Sequence, residues 1–151
     1  MVISIDLEKW QWIFYVAAII VGIFLIWFIY KKIRHFLRGV RWSSEEKGEI
    51  QKRWSSIKSL IDAGTETGFR VAILEADKLF DFALKQRFMP GETLAERLKY
   101  AVYKYPNLKR VWWAHKMRND LVHESTFAVS ESLAKRVVRE YETALKELGA
   151  L

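Results

Sequence analysis

Hydrophobic and polar positions divide the chain into two regimes. From Trp10 to Tyr30 no residue carries a formal charge, and apolar side chains would fall on every side of a helix formed by that run. From about residue 43 onward the apolar positions recur every three or four residues, with charged residues between them. The first regime fits a segment surrounded by lipid. The second fits a set of helices that each bury one stripe against their neighbours.

The uncharged run is 21 residues long. As a helix it would extend about 30 Å, the thickness of a bilayer's hydrocarbon core. Gln11 is its only strongly polar side chain and sits next to one end. Trp10, Trp12 and Tyr15 crowd that end, and Trp27, Phe28 and Tyr30 the other. Amphipathic rings favour the two membrane–water interfaces. Lys31, Lys32, Arg34, Arg38 and Arg41 follow at once. Trp10, Trp12, Trp27, Tyr30, Lys31, Lys32 and Arg34 are therefore the expected membrane-interface residues. A cleaved signal peptide would have a basic front end and a shorter apolar core, whereas this front end carries Asp6, Glu8 and Lys9. A core helix apolar on every face could not easily be surrounded by the small domain that remains.

The pattern predicts a tail at 1–9, a membrane span at 10–30, a basic juxtamembrane helix or linker at 31–42, and a soluble domain at 43–151. The excess of Lys and Arg after the span places the C-terminal domain in the cytoplasm and the short N-terminus outside, as a single-pass protein of the cell membrane. Ile33, Phe36, Leu37 and Val40 form an apolar stripe on the juxtamembrane segment, whose basic face suits anionic lipid heads. Gly39 is a plausible break in it.

The soluble part reads as all helix. Ile50, Trp54, Ile57 and Ile61 form one stripe between about Ser44 and Ala63. Phe69, Ala72, Ile73, Ala76, Leu79, Phe80, Ala83 and Leu84 form a wider one between about Thr65 and Phe88. Met89-Pro90-Gly91 forces a turn. Thr93 with Glu96 predicts a capping box for a short helix that uses Leu94, Leu98, Ala101 and Val102. That helix stops before Pro106. Asn107 is the expected N-cap of a helix from 108 to about 124, with Leu108, Val111, Trp112, Leu121 and Val122 apolar. Ser125-Thr126 begins a loop. Ser130 caps a last helix to about Leu148, lined by Leu133, Val137, Tyr141 and Leu145. Short connections between amphipathic helices predict an all-α, up-and-down bundle behind a single N-terminal transmembrane helix.

Charge changes this picture little. The formal net charge is +7, of which residues 1–41 hold +4 and the soluble part only +3. The high pI therefore belongs largely to the membrane flank. With no cysteine and three histidines, disulfides and thiolate chemistry are excluded, and neither a metal nor another cofactor is expected. No Gly-rich phosphate loop, His-Glu-x-x-His or Gly-x-Ser-x-Gly pattern occurs.

One stretch is chemically dense: His115-Lys116-Met117-Arg118-Asn119-Asp120-Leu121-Val122-His123-Glu124. Six of these ten residues carry ionisable side chains, in a segment that must also contribute to a core. Metal-free RNA cleavage needs a proton taken from a 2′-OH, a charged phosphorane stabilised, and a leaving oxygen protonated. An imidazole can move protons near neutrality, and a guanidinium fork matches two phosphate oxygens. On that chemistry His123 is the acid/base, Arg118 the phosphate clamp and Asn119 the positioner. His115 and Lys116 are further candidates for phosphate contact.

Arg118, Asn119 and His123, near the end of a helix in a small bundle, resemble the Arg-x4–6-His motif of HEPN domains (higher-eukaryote and prokaryote nucleotide-binding). Leu121-Val122-His123-Glu124 and the stretch from Ala72 to Asp81 also read like that family, so the resemblance covers about residues 45–150. It implies a homodimer in which the motif helices of two chains share a cleft. It implies either a metal-independent endoribonuclease or a non-catalytic module that binds a protein or nucleotide. RNA and a partner protein, such as a nucleotidyltransferase antitoxin, are the partners it implies besides the lipid bilayer.

Helical geometry complicates the motif. Arg118 and His123 are five residues apart, about 140° around a helix after one full turn. They converge only if the helix ends near His123 or if they come from two chains. Structural roles are open as well. Arg118 could pair with Glu75, Asp77 or Asp81, and His123 could cap a helix C-terminus. Asp77 and Asp81 share one helix face, but two carboxylates alone make a poor metal site. Of the adjacent Trp112 and Trp113, one is expected in the core and the other at an interface.

Overall fold

The computed structural model describes residues 7–38, 42–124 and 127–151, with backbone only for residues 7–11, 13 and 33–38. The tail expected at 1–9, the break expected at Gly39 and the loop start at Ser125-Thr126 fall wholly or partly outside the described residues. The protein is all-α, and no strand occurs among the described residues. Two compact units are present, Met1–Arg38 and Gly39–Leu151.

The described part of the first unit is one helix, α1 (Leu7–Arg38), 32 residues long. Its window Phe14–Lys32 has a mean hydropathy of 2.2 and is exposed. By length and composition this helix can cross a membrane. The Lys31 ammonium lies 5.1 Å from the centroid of the Trp27 ring.

The second unit contains α2 (Ser44–Asp62), α3 (Glu66–Gln86), α4 (Leu94–Lys104), a 3-10 turn (Pro106–Arg110), α5 (Val111–His123) and α6 (Glu131–Glu147). Every residue expected in the stripes of α2 and α3 is buried. Helix α3 is the central element of this unit, packed against α2, α4, α5 and α6. Cross-contacts give the directions. Arg53 of α2 stacks on Phe82 of α3, while Gly68 of α3 abuts Leu60 of α2, so this pair is antiparallel. Arg110 pairs with Glu140 and Trp113 with Arg136, so α5 and α6 are antiparallel. Asp77 meets Tyr141, and Arg87 meets Leu148, so α3 and α6 run parallel. The chain thus goes down and up, while its central pair points the same way.

Local capping differs from expectation in three places. The complete capping box is at Ser43 and Glu46, which start α2. At α4, Thr93 accepts from the Glu96 amide, but the Glu96 carboxylate accepts from Glu92 rather than Thr93. Asn107 caps nothing, because Pro106–Arg110 winds as a 3-10 turn and α5 begins only at Val111. The Asn107 side chain instead donates to Glu147 at 3.3 Å. The turn before α4 needs Gly91, whose φ of +133° and close approach to Glu96 and Arg97 leave no room for a side chain.

The bundle's last residues are fastened rather than frayed. The Leu148 carbonyl accepts from Trp42 Nε1 at 2.7 Å and from the Arg87 guanidinium. Arg87 also stacks on the Trp42 ring at 4.5 Å.

Candidate functional site

Two charged side chains occupy stripe positions that would ordinarily be apolar, and they define the polar interior. Asp77 lies on the core face of α3, between Ile73 and Phe80, and is buried. Arg97 lies on the core face of α4, between Leu94 and Leu98, and is also buried. A buried charge is tolerated only when paired and hydrogen-bonded, and both are.

Asp77 gathers three partners. His115 Nδ1 of α5 donates to its Oδ1 at 2.7 Å, and the Tyr141 hydroxyl of α6 donates to the same oxygen at 2.7 Å. Arg118 Nε lies 3.4 Å from Oδ2. That last contact is a charge pair without hydrogen-bond alignment, since Arg118 Nε has no hydrogen-bond acceptor among the described residues. One turn away on α3, Asp81 receives Arg97 at 2.7 and 2.8 Å and Lys85 at 2.9 Å. Arg97 also donates to the Gly91 and Glu92 carbonyls, which ties the turn before α4 to α3. Burial pushes the Tyr141 phenol well above its ordinary pKa. The Asp77 charge and the hydrogen bond to it act the same way, and the Arg118 charge opposes them.

These groups line an open cleft of about 340 Å³ between α3, α4 and α5, whose walls include Lys78, Lys85, Thr93, His115 and Arg118. The contact with Asp77 fixes the orientation of the His115 ring through Nδ1. The cleft therefore combines an imidazole and two guanidinium groups with the carboxylates of Asp77, Asp81 and Glu92, and its lysines are already paired, Lys78 with Glu75 and Lys85 with Asp81.

The residues singled out in the sequence separate into groups. Arg118, Asn119 and His115 come together: Arg118 reaches Asp77 beside His115, and its terminal nitrogen donates to Asn119 Oδ1 at 3.0 Å. The geometry realises the Asp77 partner among the three carboxylates considered for Arg118. His123 is not brought to them within the chain. It occupies the last turn of α5, exposed, with no hydrogen-bond or ion-pair partner among the described residues. Lys116 points away from the cleft toward Asp120, at 3.2 Å. On α1, Trp12, Trp27, Tyr30, Lys31 and Lys32 are exposed, while the side chains of Trp10 and Arg34 lie outside the described residues. Val122 and, to a lesser degree, Trp112, expected as apolar core positions, are exposed (51% and 38%), whereas Trp113 is half-buried beneath Arg136 at 4.4 Å. Sequence reasoning missed the roles of Tyr141 and Arg97. For Arg97 the signal was present, as a charged residue falling in register with an apolar stripe.

Fold and site together define a helical-bundle protein with one helix able to cross a membrane and a polar cleft between α3, α4 and α5. Comparison with protein-family models, with curated proteins and with solved structures gives no match.

Proposed function

We propose that the protein is a membrane-anchored bundle of HEPN type that cleaves RNA without a metal. Arg118, Asn119 and His123 do the chemistry, at a cleft completed by a second copy of the chain. Helix α1 is the single-pass anchor, with the bundle in the cytoplasm, as the basic residues after the span favour.

The observation that carries this reading is the exposed face of α5. Trp112, Lys116 and His123 are exposed and, with the half-buried Asn119, follow one another at helical spacing, and the exposed Val122 stands beside them. Trp112 and Val122 are large apolar side chains left in solvent. A second copy laid on this face would cover both and bring the imidazole of one chain to the guanidinium of the other. His123 then takes the 2′-OH proton as that oxygen attacks phosphorus, and the imidazolium returns a proton to the departing 5′ oxygen. Arg118, steadied by Asn119, binds the phosphate oxygens as their charge grows. The products are a 2′,3′-cyclic phosphate and a 5′-hydroxyl.

The test uses the full chain in nanodiscs with single-stranded RNA, with and without chelator. His123→Ala is expected to lose about a hundredfold or more in rate while the bundle melts at the same temperature. Mixing His123→Ala chains with Arg118→Ala chains is expected to restore part of the activity. Undiminished cleavage by His123→Ala refutes the proposal.

A second reading, a non-catalytic adaptor that dimerises at the membrane and recruits a protein or nucleotide, rests on its own observation. Lys104, Lys109, Arg110 and Lys116 do not line the cleft. Lys104 lies over the Tyr105 ring, Arg110 pairs with Glu140, and Lys116 pairs with Asp120. An RNA-binding surface would gather such charges into one stripe. A wild-type chain that dimerises but leaves RNA uncut assigns the protein to this second class.

A further inference from the structure

The reaction proposed above gives one imidazole two tasks, at the attacking 2′ oxygen and at the departing 5′ oxygen. An in-line displacement puts those two oxygens on opposite sides of phosphorus. A second imidazole beside the phosphate clamp would serve the far side, and the cleft between α3, α4 and α5 holds one.

His115 and Arg118 both line that cleft. They are three residues apart on α5 and so share a face. At about 100° per residue, Arg118 lies about 60° to one side of His115 and His123 about 80° to the other. His115 thus stands between the two motif residues that the helix keeps apart. Asp77 fixes it there. One oxygen of that buried carboxylate contacts His115 Nδ1 at 2.7 Å, and the other lies 3.4 Å from Arg118 Nε. A single carboxylate therefore sets the imidazole beside the guanidinium. The Tyr141 hydroxyl, donating to the same oxygen as His115 at 2.7 Å, adds a further hold on it.

With Nδ1 engaged, Nε2 is the ring nitrogen left to exchange a proton. It has no hydrogen-bond partner among the described residues, and it is not one of the side-chain nitrogens sealed without a partner. The His115 side chain keeps 14% of its surface open and that of Arg118 28%, so both can be reached from the cleft. The other cations there are engaged, Lys78 with Glu75, and Lys85 and Arg97 with Asp81.

We propose that His115 is a second catalytic residue of this cleft, the acid that gives the departing 5′ oxygen its proton. This rests on the RNA-cleaving reading and reassigns one transfer within it. His123 of the second copy takes the 2′-OH proton as the bond from that oxygen to phosphorus forms. His115 gives its Nε2 proton to the 5′ oxygen as the bond from phosphorus to that oxygen breaks. Exchange with water then removes a proton from His123 and restores one to His115, so the enzyme ends as it began. Asp77 and Tyr141 are positioning residues, acting through the ring they hold.

The experiment uses the full chain in nanodiscs and a single-stranded RNA that the wild type cuts. The comparison substrate is the same RNA with sulfur in place of the 5′ oxygen at the cut linkage, because a thiolate departs without a proton. His115→Asn puts an amide nitrogen where Nδ1 stood, to keep the bond to Asp77, and nothing where Nε2 stood. It is expected to lose about a hundredfold or more in kcat on the ordinary RNA and to keep most of its rate on the sulfur-linked one. His115→Gln, which fills the cleft instead, is expected to show the same preference. His123→Ala is expected to lose its rate on both, since the 2′-OH proton must still be removed. If both His115 variants cut the two RNAs as fast as the wild type, or are slowed equally on both, this inference falls and the role of His123 stands. A wild type that cuts no RNA overturns the RNA-cleaving reading and this inference with it.

Discussion

Asp77 serves three helices with two oxygens, taking His115 and Arg118 from α5 and Tyr141 from α6. Removing its charge strands a guanidinium that is 28% exposed beside a carboxamide. Asp77→Asn is expected to cost about 2–3 kcal/mol in denaturant unfolding, below the full cost of breaking a buried pair because Arg118 keeps some solvent. Tyr141→Phe removes one hydrogen bond to that carboxylate and is expected to cost about 1–1.5 kcal/mol. It has a second, pH-dependent consequence. The folded phenol ionises with more difficulty than the unfolded one, so its contribution is complete below about pH 10 and declines as the unfolded chain begins to lose its proton. The wild-type melting temperature is therefore expected to fall more steeply above about pH 10 than that of Tyr141→Phe. Parallel slopes for the two proteins would show that the phenol stays neutral in both states or ionises equally in both.

At the scale of elements, the tightest junction is that of α2 with α3. A Cβ on Gly68 would lie 2.6 Å from the Leu60 carbonyl oxygen and 2.8 Å from Thr65 Oγ1. The first obstacle is backbone and cannot turn aside. Gly68→Ala is expected to push the two helices apart at a cost of about 1–3 kcal/mol, measurable as a lower denaturation midpoint. Ser43→Ala, which opens the capping box of α2, is expected to cost about 1 kcal/mol. The helices themselves were legible because their cores repeat in simple periods: Ile50, Trp54, Ile57 and Ile61 are buried as their spacing demands. What periodicity could not supply was partnership. Asp77 and Arg97 stand in apolar registers, and only the packing of α3, α4 and α5 reveals what neutralises each. The start of α5 was misplaced for a local reason. Asn107 is a good cap in isolation, but Pro106 launches a 3-10 turn before the α-helix can begin. Trp112 and Val122 misled because apolar character records a tendency to leave water, without naming the surface that covers it. The motif itself was half legible. Arg118 and Asn119 lie together, while the 140° of helix between Arg118 and His123 keeps the imidazole on the outer face of α5.

At the scale of the whole molecule, the two units rest on different physics. The bundle is held by apolar stripes converging on α3. Helix α1 instead exposes its apolar window from Phe14 to Lys32. In water such a surface has nothing to offset its hydration cost, and in a bilayer it has a matching solvent. Changes within α1 should therefore alter where the protein resides without altering how its bundle unfolds. Ile20→Lys with Phe24→Lys tests this, because both positions lie near the middle of the apolar window and are exposed. Each lysine at the centre of a span costs about 2.5–3.5 kcal/mol of insertion. Together they are expected to move the protein from the alkali-resistant membrane fraction to the extractable one. The melting transition reported by the bundle is expected to stay where it was. A double variant that still resists alkaline extraction would mean that the bundle, rather than α1, holds the chain to lipid.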